Sequence, residues 1–160
     1  MKNKRQDGFS LIELLIVVAI IGIIAAIAIP NLMASRRAAN EGSAQSSIRT
    51  IHSAQVVYQA TAGAGAYAAS LAVLRTQTLT DTVLGNGNKS GYHFEIVEQA
   101  GVNSTAVFGV YGFPLTTSGV SQTGTRTFGT TEDGVMHGDP DLSAIPNTIA
   151  DIRALPVLGN

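Results

Sequence analysis

The chain has 160 residues, 45% hydrophobic and 13% charged, with a formal net charge of -1, a pI of about 6.3 and a mean hydropathy of +0.23. That length holds one modest domain, and a charged fraction about half the usual one implies apolar surface meant for something other than water. The near-neutral balance gives no broad basic field for phosphate backbones, so no specific nucleic-acid partner is expected, and zero cysteines exclude disulfides, thiolate catalysis and cysteine-ligated metals.

The amino-terminal segment carries most of the information. Lys2, Lys4 and Arg5 come first, and Asp7 and Glu13 are the only acids in the first forty residues. Leu14 to Ile29 is a run of sixteen residues without charge or hydroxyl, and counted from Phe9 the apolar stretch reaches twenty-one, with Ser10 and Glu13 inside it. As a helix it spans about 30 Å, the hydrocarbon thickness of a bilayer. The basic residues ahead of it would stay cytoplasmic and send the rest of the chain outward. A secretory signal cleaved near Ala25, Ala26 and Ala28, or a plain uncleaved anchor, accounts for the run. Neither handles Glu13 well, because an ionised carboxylate inside a lipid-embedded helix costs at least about 2 kcal/mol unless it sits at the interface or meets a cation. A chain starting at Phe9 would supply that cation as the α-ammonium of a neighbouring copy.

The string Lys4-Arg5-Gln6-Asp7-Gly8, then Phe9-Ser10-Leu11-Ile12-Glu13-Leu14 and an apolar run to Pro30, closely resembles the class III signal of type IV prepilins and of the related pseudopilins. The match covers residues 4 to about 37, and Ser10 stands where threonine is commoner. The resemblance implies cleavage by prepilin peptidase between Gly8 and Phe9, N-methylation of Phe9, and use of Glu13 in subunit docking. It also implies a lipid bilayer before assembly, an inner-membrane assembly platform, minor pilins, and a homo-oligomeric helical filament. The chain would cross the bacterial inner membrane once, head outside the cytoplasm, and end in an extracellular filament.

Pro30 lacks an amide hydrogen and its ring crowds the carbonyl of Ala26, while Gly22 weakens a helix by about 1 kcal/mol relative to alanine. A kink or melted turn between Gly22 and Pro30 is therefore expected, similar to the part of a pilin stem that extends on assembly. From Asn31 to about Tyr58 the chain turns amphipathic. Arg36, Arg37, Glu41 and Arg49 take wet positions, and Ala44, Ile48, Ile51 and Tyr58 form a narrow stripe, with Ala54 beside it. The stripe needs a sheet to lie on.

Glycines among residues 60–66 end the helix. Residues 67–74 read as a short helix or turn, and Gly85-Asn86-Gly87-Asn88 as a turn leading into a strand. Residues 91–98 alternate, with Tyr92, Phe94 and Ile96 on one face. Residues 105–115 and 126–131 supply two more strands, and Glu132-Asp133-Gly134 turns into Val135-Met136-His137. The fold class is α+β: a long N-terminal α-helical stem packed against a small antiparallel β-sheet head, the pilin ladle fold. Its expected divisions are a leader (1–8), a helix (9–59, with a hydrophobic part 9–30 and an amphipathic part 31–59), and a head with a C-terminal tail (60–160). The strand GYHFE and the segments GTRTF and TTEDGVM resemble one subgroup of pilins. The tail departs from the common pilin pattern in lacking a cysteine pair. It is left to Leu142, Ile145, Ile149, Ile152, Leu155 and Leu158, with three prolines limiting any helix to a short piece.

Catalytic chemistry finds little support. Asn88-Lys89-Ser90 lacks the glycine that a phosphate loop needs before its lysine. His52, His93 and His137 are scattered singly, as surface histidines are, with no ligand spacing among them. Glu132, Asp133, Asp139 and Asp141 could hold calcium, as some major pseudopilins do in this region, but they do not follow an EF-hand loop, so no cofactor is expected. No serine has a histidine and an acid in a hydrolase context. Asn103-Ser104-Thr105 fits a glycosylation acceptor. The expected function is a structural, non-enzymatic pilus subunit for adhesion or twitching motility. The alternatives are a major pseudopilin of type II secretion and a pilin of a DNA-uptake pilus.

Overall fold

The computed structural model describes residues 9–99, 105–143 and 145–158. The leader, with Gly8, and Asn103 and Ser104 of the acceptor triplet lie outside the described residues. The chain divides into two compact units with the boundary between Ser35 and Arg36.

The first unit is the start of α1 (Leu11–Ala60), a helix of 50 residues. It contains Pro30 and remains α-helical through Gly22 and Pro30, so the melted turn expected there is not formed. Proline removes only one donor, and the unbranched chain of bonds on either side is long enough to carry the helix across a single missing link.

In the second unit, α1 from Arg36 onward lies on a five-stranded antiparallel meander in the order β1-β2-β3-β4-β5. The strands are β1 (Asn88–Lys89), β2 (Tyr92–Gln99), β3 (Val107–Pro114), β4 (Thr127–Thr131) and β5 (Met136–Asp139). The stripe behaves as its spacing requires. Ala44, Ile48, Ile51 and Ala54 are buried in one cluster with Tyr92, Phe94, Phe108, Val110, Phe128 and Met136, and Tyr58 packs against it. Toward the start of the unit the same face turns polar without becoming free. Arg37 donates to Gln122 Oε1 at 2.8 Å, Asn40 to the Thr123 carbonyl at 2.9 Å, and Glu41 accepts from the Thr125 amide and hydroxyl at 2.8 and 2.7 Å. Arg37 and Glu41 were expected on wet positions. They instead tie the loop before β4 to the helix, while Arg36 and Arg49 are exposed. Gln55 is fully buried, since its amide exchanges two hydrogen bonds with the backbone of Ala68, at 2.7 and 2.8 Å, and so stands in for a strand partner.

Between helix and sheet come α2 (Leu71–Thr76), capped by Ser70, and α3 (Thr82–Gly85), capped by Asp81. The turn signal at residues 85–88 thus marks the end of a one-turn helix and the start of the two-residue edge strand β1, neither of which is expected from the pattern. The sheet has five strands where three or four were expected.

The tail is held on the opposite face of the sheet. In β3 Phe108 and Val110 face α1, so Gly109 points the other way, and a Cβ on Gly109 would lie 2.5 Å from Ile152 Cδ1. A Cβ on Gly129 of β4 would lie 2.8 Å from Ile152 Cγ2. These two glycines leave the hollow that α4 (Ile149–Ala154) fills with Ile149 and Ile152. A capping box between Thr148 and Asp151 starts α4. Beyond it Val157 bridges to His137 across the edge of β5, Leu158 N–H donates to the Met136 carbonyl at 2.8 Å, and Leu158 packs on the core. Backbone pairing and two isoleucines in a glycine hollow hold the tail without cysteines. Of the apolar tail residues expected to anchor it, Ile145 is exposed.

Candidate processing and assembly segment

Phe9 and Ser10 precede α1, and Phe9 is 85% exposed. Thirteen large apolar side chains from Leu11 to Ile29 are all exposed, on every side of the helix. A helix that is apolar all round belongs inside protein or lipid. At about 1.5 kcal/mol or more for each side chain withdrawn from water, covering the segment is worth on the order of 20 kcal/mol. This helix is long and apolar enough to cross a membrane.

Glu13 is the only ionisable side chain between Phe9 and Ser35. Its Oε2 accepts the Ser10 amide hydrogen at 2.9 Å. That is one half of a capping box, with Ser10 at the N-cap and Glu13 at the third helical position, and the carboxylate also sits favourably at the positive end of the helix dipole. The pattern Ser-x-x-Glu at residues 10–13 is the sequence signal for this helix start, and it is not among the expectations drawn from the sequence above. Removal of the leader would place the new Phe9 ammonium one residue from the amide that Glu13 already holds. Gly22 lies on an open flank of the helix, with nothing within 4 Å of where a Cβ would sit. Pro30 lies within the same helix.

In the head, the groups considered for chemistry do not converge. Lys89 pairs with Asp81 at 3.0 Å, and the two amide hydrogens around Leu84 and the lysine together hold the Asp81 carboxyl below the usual aspartate range. His93 lies between Asn88 Oδ1 at 2.7 Å and Glu95 Oε1 at 3.1 Å. The Tyr111 hydroxyl donates to Glu95 and is the main reason the Glu95 carboxyl falls below its ordinary range, while burial pushes Tyr111 up. His137 was expected at the surface but is buried, because its Nδ1–H donates to the Leu155 carbonyl at 2.7 Å beneath the returning tail. His52 also departs from that expectation, with a ring packed against Phe108 and a buried Nε2. Among the described residues no three His, Cys, Asp or Glu side chains gather as a metal site. Glu132 turns to Arg153 of α4, Asp133 binds the Val135 amide, and Asp139 and Asp141 hold local turns.

Comparison with known proteins places the signal. Residues 3–29 match the family model described as the prokaryotic N-terminal methylation motif. The type IV major pilin protein PilA of Myxococcus xanthus is 49% identical over 53 residues, 33% of this chain and 24% of that protein. The type II secretion system core protein G of Aeromonas hydrophila is 37% identical over 59 residues, 37% of this chain and 41% of that protein. The major component of the type IV wide pilus of Thermus thermophilus is 61% identical over 41 residues, 26% of this chain and 30% of that protein. The chain thus spans between a quarter and two fifths of the length of these relatives. No solved structure matches it significantly. The chain therefore carries the prokaryotic N-terminal methylation motif with its class III signal, and is similar in sequence to type IV pilins and to core protein G of type II secretion systems.

Proposed function

We propose that this chain is a structural, non-enzymatic subunit that is cleaved between Gly8 and Phe9, methylated at Phe9, held in the inner membrane by residues 9–30 and polymerised into a type IV pilus. The observation that carries the reading is the thirteen exposed apolar side chains of Leu11 to Ile29 around a single carboxylate, directly after the matched signal. Such a surface is stable first in lipid and then among copies of itself, and Glu13 is the one group that makes the second environment selective. Prepilin peptidase, the assembly platform and minor pilins are the partners this cycle requires. A short pseudopilus for type II secretion is the second reading, supported by the similarity to core protein G over 37% of the chain.

Intact-mass measurement of membranes from a Gly8→Val strain tests the processing step. The full chain should accumulate in place of residues 9–160, and normal recovery of the shorter species would remove the assignment. Surface shearing of wild-type cells then separates the two filaments: long sheared fibres containing this chain support a pilus, and their absence with retained membrane protein supports the secretion reading.

A further inference from the structure

The connection between β3 and β4 is a compact loop seated on the first turns of α1 in the second unit. Its contacts descend the helix together: Thr125 is held by Glu41, Thr123 by Asn40 and Gln122 by Arg37. The Thr123 amide closes the loop on the Thr116 carbonyl at 3.0 Å, so residues 117–122 lie beyond that rung, on the Arg37 side. Gly119, at φ +79°, turns the chain there, and the Gln122 amide donates to its carbonyl at 3.3 Å. Beside it Val120 is 79% exposed, the most exposed large apolar side chain of the second unit among the described residues. A lone exposed valine needs no explanation, but this one tops a loop that carries no charge from Leu115 to Thr125.

The cations next to the loop are Arg36 and Arg37. Arg36 is exposed and Arg37 donates to the neutral side-chain carbonyl of Gln122, so neither is paired with a carboxylate among the described residues. Glu41, the acid closest to them in the chain, is taken up by the Thr125 amide and hydroxyl. Arg36 follows Pro30 by six positions, about 9 Å at the helical rise and at most about 20 Å for any backbone. With residues 9–30 in a bilayer, the headgroup layer adds about 5–8 Å on that side, which brings its phosphates within reach of both guanidinium groups. We infer that the head docks on the bilayer surface before assembly, with Arg36 and Arg37 on lipid phosphates and Val120 set into the headgroup layer. The inference rests on the reading of residues 9–30 as a membrane span. Lipid is the occupant because so short a tether holds the patch against the bilayer at high effective concentration, whereas a second copy must diffuse to it.

The test uses the full chain in vesicles of phosphatidylethanolamine and phosphatidylglycerol, with a headgroup-attached nitroxide lipid as quencher. Because the chain has no cysteine, Val120→Cys gives a single thiol for an environment-sensitive dye, and Val57→Cys gives the control. Val57 is also an exposed apolar residue and lies twenty positions beyond Arg37, about 30 Å along α1. Flotation with the vesicles reports the span separately. The Val120 dye should shift to the blue and be quenched, and the Val57 dye should do neither. Adding Arg36→Gln, at an exposed position, should lower the docked-to-free ratio about fivefold, as loss of one cation from an anionic surface does. Flotation with an unshifted Val120 dye, equal quenching at Val57, or no change with Arg36→Gln overturns the docking and leaves the span. Failure to float overturns both. A blue shift that grows with the protein-to-lipid ratio and escapes the quencher overturns the docking in favour of a second copy of the chain.

Discussion

Glu13→Gln and Glu13→Ala separate the local role that the structure gives this carboxylate at the start of α1 from the assembly role proposed for it. The first is local: Oε2 holds the Ser10 amide at 2.9 Å. Losing that cap costs about 1 kcal/mol and acts only on the first turn of a 50-residue helix, so insertion and leader removal should survive it. Glutamine keeps a side-chain carbonyl for the Ser10 amide and loses only the charge, whereas alanine loses both. The proposed second role is neutralisation of a neighbour's Phe9 ammonium within the apolar filament core. Leaving one partner of a buried pair uncompensated costs about 3–5 kcal/mol, or roughly 100-fold or more in the equilibrium for adding a subunit. If charge pairing governs assembly, both variants should be cleaved normally and yield almost no filaments in cells making only the variant. Leader removal is read by intact mass and assembly by sheared-filament yield. Wild-type yield from Glu13→Gln with a modest loss in Glu13→Ala would refute the pairing and leave Glu13 as a helix cap. Failed cleavage in both would assign it to peptidase recognition.

The head expressed from Arg36 onward should be a soluble monomer by sedimentation, since the whole buried cluster from Ala44 to Met136 lies within it; a tight oligomer would show a second assembly surface. Ile152→Ala should destabilise that head by about 2–4 kcal/mol in urea, and Gly129→Ala by about 1–3 kcal/mol, because its Cβ would meet Ile152 Cγ2 at 2.8 Å. The double variant should cost clearly less than the sum, and strict additivity would mean that α4 is not seated in the glycine hollow. Glu95 should titrate below the ordinary glutamate range, and Tyr111→Phe should return it toward that range in a carbon-detected NMR titration. Because its folded value is the lower one, its contribution is present above the ordinary glutamate range and fades as pH falls through the folded value. The effect on stability should be small, since the Glu95 side chain is 52% exposed.

The local patterns of this sequence were sufficient for the amino-terminal segment and for the buried faces of α1 and β2, though not for the one-turn α3 and the two-residue β1. A basic start, a glycine and a charge-free run identify the segment, because the methylation motif is a contiguous string. The stripe at Ala44, Ile48, Ile51 and Ala54 and the alternation of Tyr92 and Phe94 give the buried faces, because helix and strand periods are properties of the backbone alone. The Ser-x-x-Glu start of α1 is equally local, since Ser10 and Glu13 lie three residues apart.

What the tertiary structure decided are the contacts between residues far apart in the chain. Arg37 and Glu41 look like solvated charges until the loop holding Gln122 and Thr125 folds back on them, more than eighty positions later. His137 becomes buried only when residues 155–158 return along β5, and Gly109 and Gly129 become a hollow only when they stand diagonally across β3 and β4, both facing Ile152. No window of sequence contains both partners of these pairs. Pro30 gives the converse case. Its local penalty is real, yet one missing hydrogen bond is small beside the cooperative bonding of the helix on either side, so the continuity of α1 follows from the length of the element and not from the residue.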